Sequence, residues 1–224
     1  VAEAQAVLVI GAGVAGLATA LYLRREGFAV TVLDPLGPAG GASFGNAGLL
    51  SPETVVPIAL PGMLRKVPGW LRDPLGPLTV RHAYLPRALP WLLRWVGESR
   101  LARVEQISNA LRALHGPSLE CWRELLGEPL ARELMRRTGQ VQVWEGTEDT
   151  ASQRVEAALR ERHGIRAEKL GPEELRQLFP GIARDITRGL LVPGNGHLVS
   201  PPARCAAWRS CSSPRAGASC RSGR

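Results

Sequence analysis

The run AVLVI followed by GAGVAG, residues 6–16, limits what this 224-residue chain can fold into more than any other stretch. Ala6 to Ile10 is short, apolar and rich in β-branched residues, the pattern of a strand buried in a parallel sheet. Gly11, Gly13 and Gly16 follow at once in the GxGxxG spacing. LATALYLRRE then places Leu17, Ala18, Leu21 and Tyr22 on one helical face, and Gly27 is a natural stop. Phe28 to Asp34 reads as a second β-branched strand ending on an acid. Strand, glycine turn, helix and strand in this order predict an α/β protein whose sheet begins with a right-handed βαβ unit.

Each part of the unit has a physical job. Gly11 permits the tight turn out of the strand, Gly13 lets a pyrophosphate approach the backbone, and Gly16 lets helix and strand pack closely. Ile10, Val14 and Ala15 flank these positions and share the site. The unpaired N–H groups at the helix start face the phosphates, and the helix dipole favours an anion there. Asp34 lies at the distance where an acid accepts hydrogen bonds from ribose hydroxyls. The motif alone does not separate FAD from NAD.

GGASFGNAGLLSP, residues 40–52, is neither a good helix nor a good strand. Together with residues 7–34 and with LPGMLRKVPGWLRDPLGPLTV, residues 60–80, it resembles the FAD-dependent D-amino-acid dehydrogenases of the wider D-amino-acid oxidase and glycine oxidase group. The resemblance spans residues 5–202. It implies a Rossmann-like FAD-binding βαβ unit, a helical insertion and the start of an α+β substrate domain. It implies FAD as cofactor, with Gly11, Gly13, Gly16 and Asp34 at its ADP half. Ser43, Asn46, Ala47 and Gly48 would line the cofactor toward the flavin, where glycine backbone reaches ligand oxygens without side chains in the way. The implied activity is oxidation of a D-amino acid by hydride transfer to flavin, giving a 2-oxo acid and ammonia. Electrons would pass to an acceptor such as a quinone. An oxidase of glycine or sarcosine type, a non-catalytic remnant, and an NAD enzyme with a similar first unit are the alternatives.

The expected division is residues 1–60 for cofactor binding, 61–138 for a loop and helices, 139–202 for the start of the substrate domain, and 203–224 for an aberrant or disordered tail. Prolines crowd residues 49–90, with Trp70 and Leu71 as candidate anchors. Leu93, Val96, Leu101, Val104, Ile107 and Leu111 recur at near-helical spacing, and further helices are expected near residues 117–126 and 129–137. Residues 139–145 alternate as a half-exposed strand. A helix ending at Gly164 follows, then a short helix opened by Pro172. Residues 188–202 read as a strand, a glycine turn and a second segment. His197 is there, but a lone histidine at a strand edge is usually structural, and no catalytic residue is assigned.

Net charge is +8, yet five arginines and no acid fall in the last 24 residues, and without them the excess drops to +3. The basicity is therefore mostly a property of the tail and points to no nucleic-acid partner. Residues 4–23 carry no charge, but their glycines and strand–helix division argue against a membrane span. Cys121 is alone in the body, and no zinc-like Cys/His spacing occurs, so the chain reads as cytoplasmic, with peripheral contact at the inner membrane allowed. RCAAWRSCSSPRAGASCRSGR, residues 204–224, has no Leu, Ile, Val, Phe or Met and so should supply no core strand or helix. A frameshift near Pro202 would account for it, a natural disordered tail being the other reading. The resemblance implies that the rest of the adenine pocket, most of the substrate domain and the carboxylate-gripping arginine would belong beyond that point.

Overall fold

The computed structural model describes residues 4–65, 67–73, 81–146, 150–199 and 220–222. The backbone clusters into two compact units, one built from residues 1–50, 118–138 and 195–224, the other from 51–117 and 139–194. These units interleave along the chain, so their borders differ from the contiguous division expected above.

In the first unit, β1 (Ala6–Ile10) leads through the glycine turn into α1 (Val14–Arg25) and back to β2 (Ala29–Asp34). β1 and β2 are parallel, with Ala6 opposite Ala29 and Ile10 opposite Leu33. Leu17, Ala20 and Leu23 of α1 pack with Val7, Val9, Val30 and Val32 on one face of the sheet. α1 ends in a Schellman motif, Gly27 N–H donating to Arg24 O and Phe28 N–H to Leu23 O, with Gly27 at φ +91. The other face of the sheet differs from the expectation of a buried strand. Leu8 is 56% and Ile10 84% exposed, and Leu33 is exposed beside them, because among the described residues only one helical layer covers this sheet.

The helix face predicted to be apolar finds a different partner from the sheet. Val14, Leu17, Ala18 and Leu21 pack on Leu50, Leu119, Leu126, Ala131, Leu134 and Leu198. Those residues come from β3 (Leu49–Leu50), α5 (Ser118–Leu126), α6 (Glu128–Leu134) and β8 (Gly196–Leu198). Tyr22 stays exposed. The helix expected to reach residue 137 ends at Leu134, and β4 (Met135–Arg136) turns extended to pair with β8. β8 thus has an antiparallel partner on each edge, β3 and β4. A further difference lies in the tail. β9 (Cys220–Ser222) runs parallel to β2, Val32 opposite Cys220, because strand addition needs only backbone donors and acceptors. The rest of the expected tail lies outside the described residues.

The second unit holds α2 (Val67–Arg72), α3 (Leu85–Glu98), α4 (Leu101–His115), α7 (Ala151–Arg162) and α8 (Pro172–Leu178). Its sheet places β7 (Ile186–Val192) between β5 (Gln140–Glu145) and β6 (Glu168–Leu170), all antiparallel. Thr150 and Gln153 form a capping box at the start of α7. Leu60, Val104 and Leu159 make one core cluster, and Val55, Ile165 and Val192 another. The helical run expected from residue 86 is broken at Ser99 and Arg100, and Leu93 and Leu101 of that pattern are exposed. Leu71 does not serve as an anchor, since α2 buries no residue. Residues 74–80 of the proline-rich stretch lie outside the described residues.

Ser108 of α4 is fully buried, and its hydroxyl lies 2.9 Å from His163 Nε2 at the C-terminus of α7. Burial first, then Arg112 and Arg162, hold the His163 imidazole below its ordinary 6.5. The unfolded chain therefore takes up this proton before the folded one does. Stability from the neutral ring is present above pH 6.5 and is lost as pH falls toward the lower folded value. Urea midpoints of the second unit should fall as pH drops below 6.5. His163→Gln should flatten that slope; an unchanged slope in the variant would remove His163 as its cause.

Candidate functional site

The βαβ unit delivers its glycines and one acid, and the loop after it one serine, to a single cluster at the N-terminus of α1. Gly11 leaves β1 at φ +105, a conformation that L side chains rarely adopt, and donates its N–H to Leu33 O at 2.7 Å. A Cβ on Gly16 would overlap the Gly11 carbonyl oxygen and come within 3.5 Å of Val9 Cγ1. This glycine sets how closely the helix rides on the strand. A Cβ on Gly13 would meet Ser43 Oγ at 3.2 Å.

α1 has no capping side chain of its own, Gly13 being the N-cap. Ser43 supplies one from the following loop, its buried hydroxyl accepting from Val14 N–H at 2.9 Å. Ala15 and Gly16 stand in the first turn, where backbone N–H groups have no acceptor within the helix. Asp34, at the end of β2, accepts from Ala12 N–H at 2.7 Å through one oxygen and from Leu36 N–H at 2.8 Å through the other. The Ala12 N–H, then that of Leu36, hold its carboxyl below the ordinary carboxylate range, so it is an anion at neutral pH. The Gly37 N–H lowers it further, and of the carboxylate's roughly four acceptor sites one is left for a further donor.

Asn46, Ala47 and Gly48 lie on the same loop but have different work. Asn46 Nδ2 donates to Ser43 O at 3.1 Å, and its Oδ1 accepts from Gly48 N–H at 2.8 Å. Both ends of the amide are thus spent on shaping the loop that carries Ser43. Ala47 is exposed, and Gly48, at φ +67, passes the chain into β3 while its carbonyl accepts from Leu198 N–H. Ile10, at the mouth of the turn, is 84% exposed.

Two residues that the sequence did not mark belong here as well. Ala12 is fully buried in the turn. Its carbonyl accepts from Ala39 N–H at 2.9 Å. Ala39, almost fully buried, has φ +59 and is the one non-glycine residue in the left-handed region among the described residues. It ties the loop after β2 to the glycine turn. Nothing in an alanine's identity signals such a conformation. His197, by contrast, sits mid-sheet on β8 with Nδ1 3.2 Å from Thr138 Oγ1.

A cradle without Cβ atoms, open N–H groups at a helix start and an ionised acid at the neighbouring strand end fit the pyrophosphate and ribose of a dinucleotide. Residues 6–219 match the family described as "FAD dependent oxidoreductase", and the chain belongs to that family. Within it, the chain is 38% identical over 208 residues to a D-amino-acid oxidase of Bradyrhizobium diazoefficiens, covering 92% of this chain and 49% of that relative. It is 30% identical over 190 residues to a D-amino acid dehydrogenase of Vibrio vulnificus, covering 83% of this chain and 46% of the relative. The chain thus spans about half the length of the curated relatives it matches. Its fold is similar to that of a glycine oxidase from Bacillus cereus, at TM-score 0.54 and 16% identity over 97% of this chain and 46% of the other. An L-amino acid deaminase from Proteus vulgaris gives TM-score 0.58 at 16% identity, over 97% of this chain and 39% of the other.

The Gly16 contact makes a direct prediction. Gly16→Ala should destabilise the first unit by about 1–3 kcal/mol, since the helix must lift from the strand to admit the methyl group. Denaturant unfolding checks it; a variant as stable as the parent would mean that α1 does not ride on the turn as described.

Proposed function

We propose that the chain carries the cofactor cradle of an FAD enzyme that oxidises D-amino acids to 2-oxo acids and ammonia. The observation that carries this reading is the convergence of Gly13, Ser43 and Asp34 on the start of α1. The names of the two relatives above support the substrate class. Gly11, Gly13 and the first turn of α1 would bind the pyrophosphate, and Asp34 would accept from the adenosine ribose. Ser43 would hold the helix start in place and exchange its Val14 partner for, or share it with, a phosphate oxygen. Asn46, Ala47 and Gly48 would carry the loop on toward the flavin, with the Asn46 amide keeping it open. Bound FAD supplies the capacity to take two electrons from the substrate Cα. Balance then requires one water, to release ammonia, and an electron acceptor, for which we propose a quinone reached by peripheral contact with a membrane. None of the described helices is long and apolar enough to cross one.

A second reading has an observation of its own. Parallel sheets are normally covered on both faces, and here Leu8, Ile10 and Leu33 leave one face of the β1–β2 pair bare. On that reading the chain binds a nucleotide weakly and turns over no substrate.

Visible spectra of the purified chain with added FAD separate the two. Bound flavin that bleaches anaerobically with D-alanine is the expected result; a protein that takes up no FAD overturns the first reading, and tight NAD binding without FAD would move it to another cofactor class. Asp34→Ala should weaken FAD binding roughly tenfold or more, the scale of hydrogen bonds to a charged group. Gly13→Val should abolish it. Flavin fluorescence titration measures both, and equal affinity in the Asp34 variant would exclude that residue as a ribose acceptor.

A further inference from the structure

Helix α7 and one face of the β5–β7–β6 sheet border a cavity of about 240 Å³ whose lining residues all belong to the second unit. The helix supplies Gln153, Glu156, Ala157 and Arg160, spaced i, i+3, i+4 and i+7 and so on one side of α7. The sheet supplies Trp144 across from Arg188, and Leu190 across from Lys169. Cross-strand partners, and residues two apart on a strand, share a face, so these four side chains stand together.

The chemistry of the wall is set by Arg160. Its side chain is only 10% exposed. Nη2 donates to Gln142 Oε1 at 3.2 Å and to Glu156 Oε2 at 3.3 Å. The N–H groups on Nε and Nη1 have no acceptor among the described residues. A guanidinium set so deep with donors unmet costs stability that an anion would restore. Glu156, the one acid among the described lining residues, is already engaged by Arg160. Lys169 and Arg188 have other partners, Arg188 Nε donating to Gly146 O at 2.7 Å, and bring positive charge to the wall rather than open donors. The Trp144 ring lies 6.0 Å from the Arg188 guanidinium, and Leu170 and Leu190 extend the apolar part of the lining.

An inorganic anion would meet the charges and leave the indole and leucines unmatched. A neutral apolar molecule would fill the space and leave the Arg160 donors unmet. A carboxylate on a flat apolar body satisfies both. We infer that this cavity binds a small organic carboxylate, its oxygens on Arg160 beside Lys169 and its apolar body against Trp144 and Leu190. Pockets for drug-sized ligands hold roughly 300–1,000 Å³, so the occupant here is smaller than those. No residue of the glycine cradle lines the cavity, and its occupancy is measured without flavin, so it stands or falls apart from the catalytic reading.

The test is calorimetric titration of the whole chain with phenylacetate, against neutral phenylacetamide and inorganic phosphate. Phenylacetate should bind, and should change tryptophan emission by an amount that falls in Trp144→Phe. Arg160→Gln with Glu156→Gln removes the guanidinium without stranding its acid, and should weaken binding roughly tenfold or more, the scale of a hydrogen bond to a charged group. Lys169→Gln, at an exposed position, should weaken it about threefold with the urea midpoint unchanged, which keeps the test open if the paired variant fails to fold. Absence of phenylacetate binding overturns the inference. So does phenylacetamide binding equally well, phosphate binding as tightly as phenylacetate, or an affinity that the folded variants leave unchanged.

Discussion

The approach of α1 to the turn beneath it is the contact on which the rest of the first unit depends. Where Gly16 meets the Gly11 carbonyl there is no room for a single methyl group. That proximity brings the first-turn N–H groups beside the ends of β1 and β2, where Asp34 and the loop carrying Ser43 can reach them. A larger residue would displace the helix start from its acid and its serine together. The proposed anion site is therefore a result of backbone packing first and of side-chain chemistry second.

The same economy makes the cradle easy to find in sequence and its supports hard to find. Gly11, Gly13, Gly16 and Asp34 are legible because each position narrows the residue type for a steric or electrostatic reason. Asn46 was legible as a loop residue, but its two hydrogen bonds show a turn being built rather than a side chain aimed at a ligand. Ala39 left no trace, since its unusual φ comes from a tertiary bond to Ala12 and not from its own preference. Met135 and Arg136 were read as helix because local periodicity cannot see a distant β8 seeking a partner. Leu93 falls in the expected helical spacing and is nonetheless exposed, since spacing reports which face is apolar, never what covers it.

Bare apolar surface appears in both units, with different patterns. On the β1–β2 face it is purely aliphatic, Leu8, Ile10 and Leu33, and no basic residue of either strand interrupts it. That is the surface of a sheet core with one layer in place. On α3 it is aliphatic and aromatic beside arginine, which a core does not tolerate unpaired.

The order of segments in the first unit bears on what the cradle needs in order to exist. α1 is held from two sides, by the sheet through Ala20 and Leu23 and by residues 118–134 and Leu198 through Ala18 and Leu21. Leu17 belongs to both clusters. The N-terminal βαβ unit taken alone would leave the second side of α1 in water, losing burial of a whole helical face. Its thirty-odd residues are too few to bury a core of their own. The glycine motif is local in sequence, but the helix whose dipole and N–H groups it positions is anchored by chain more than a hundred residues away. The site read from the first 34 residues is thus a property of the interleaved unit.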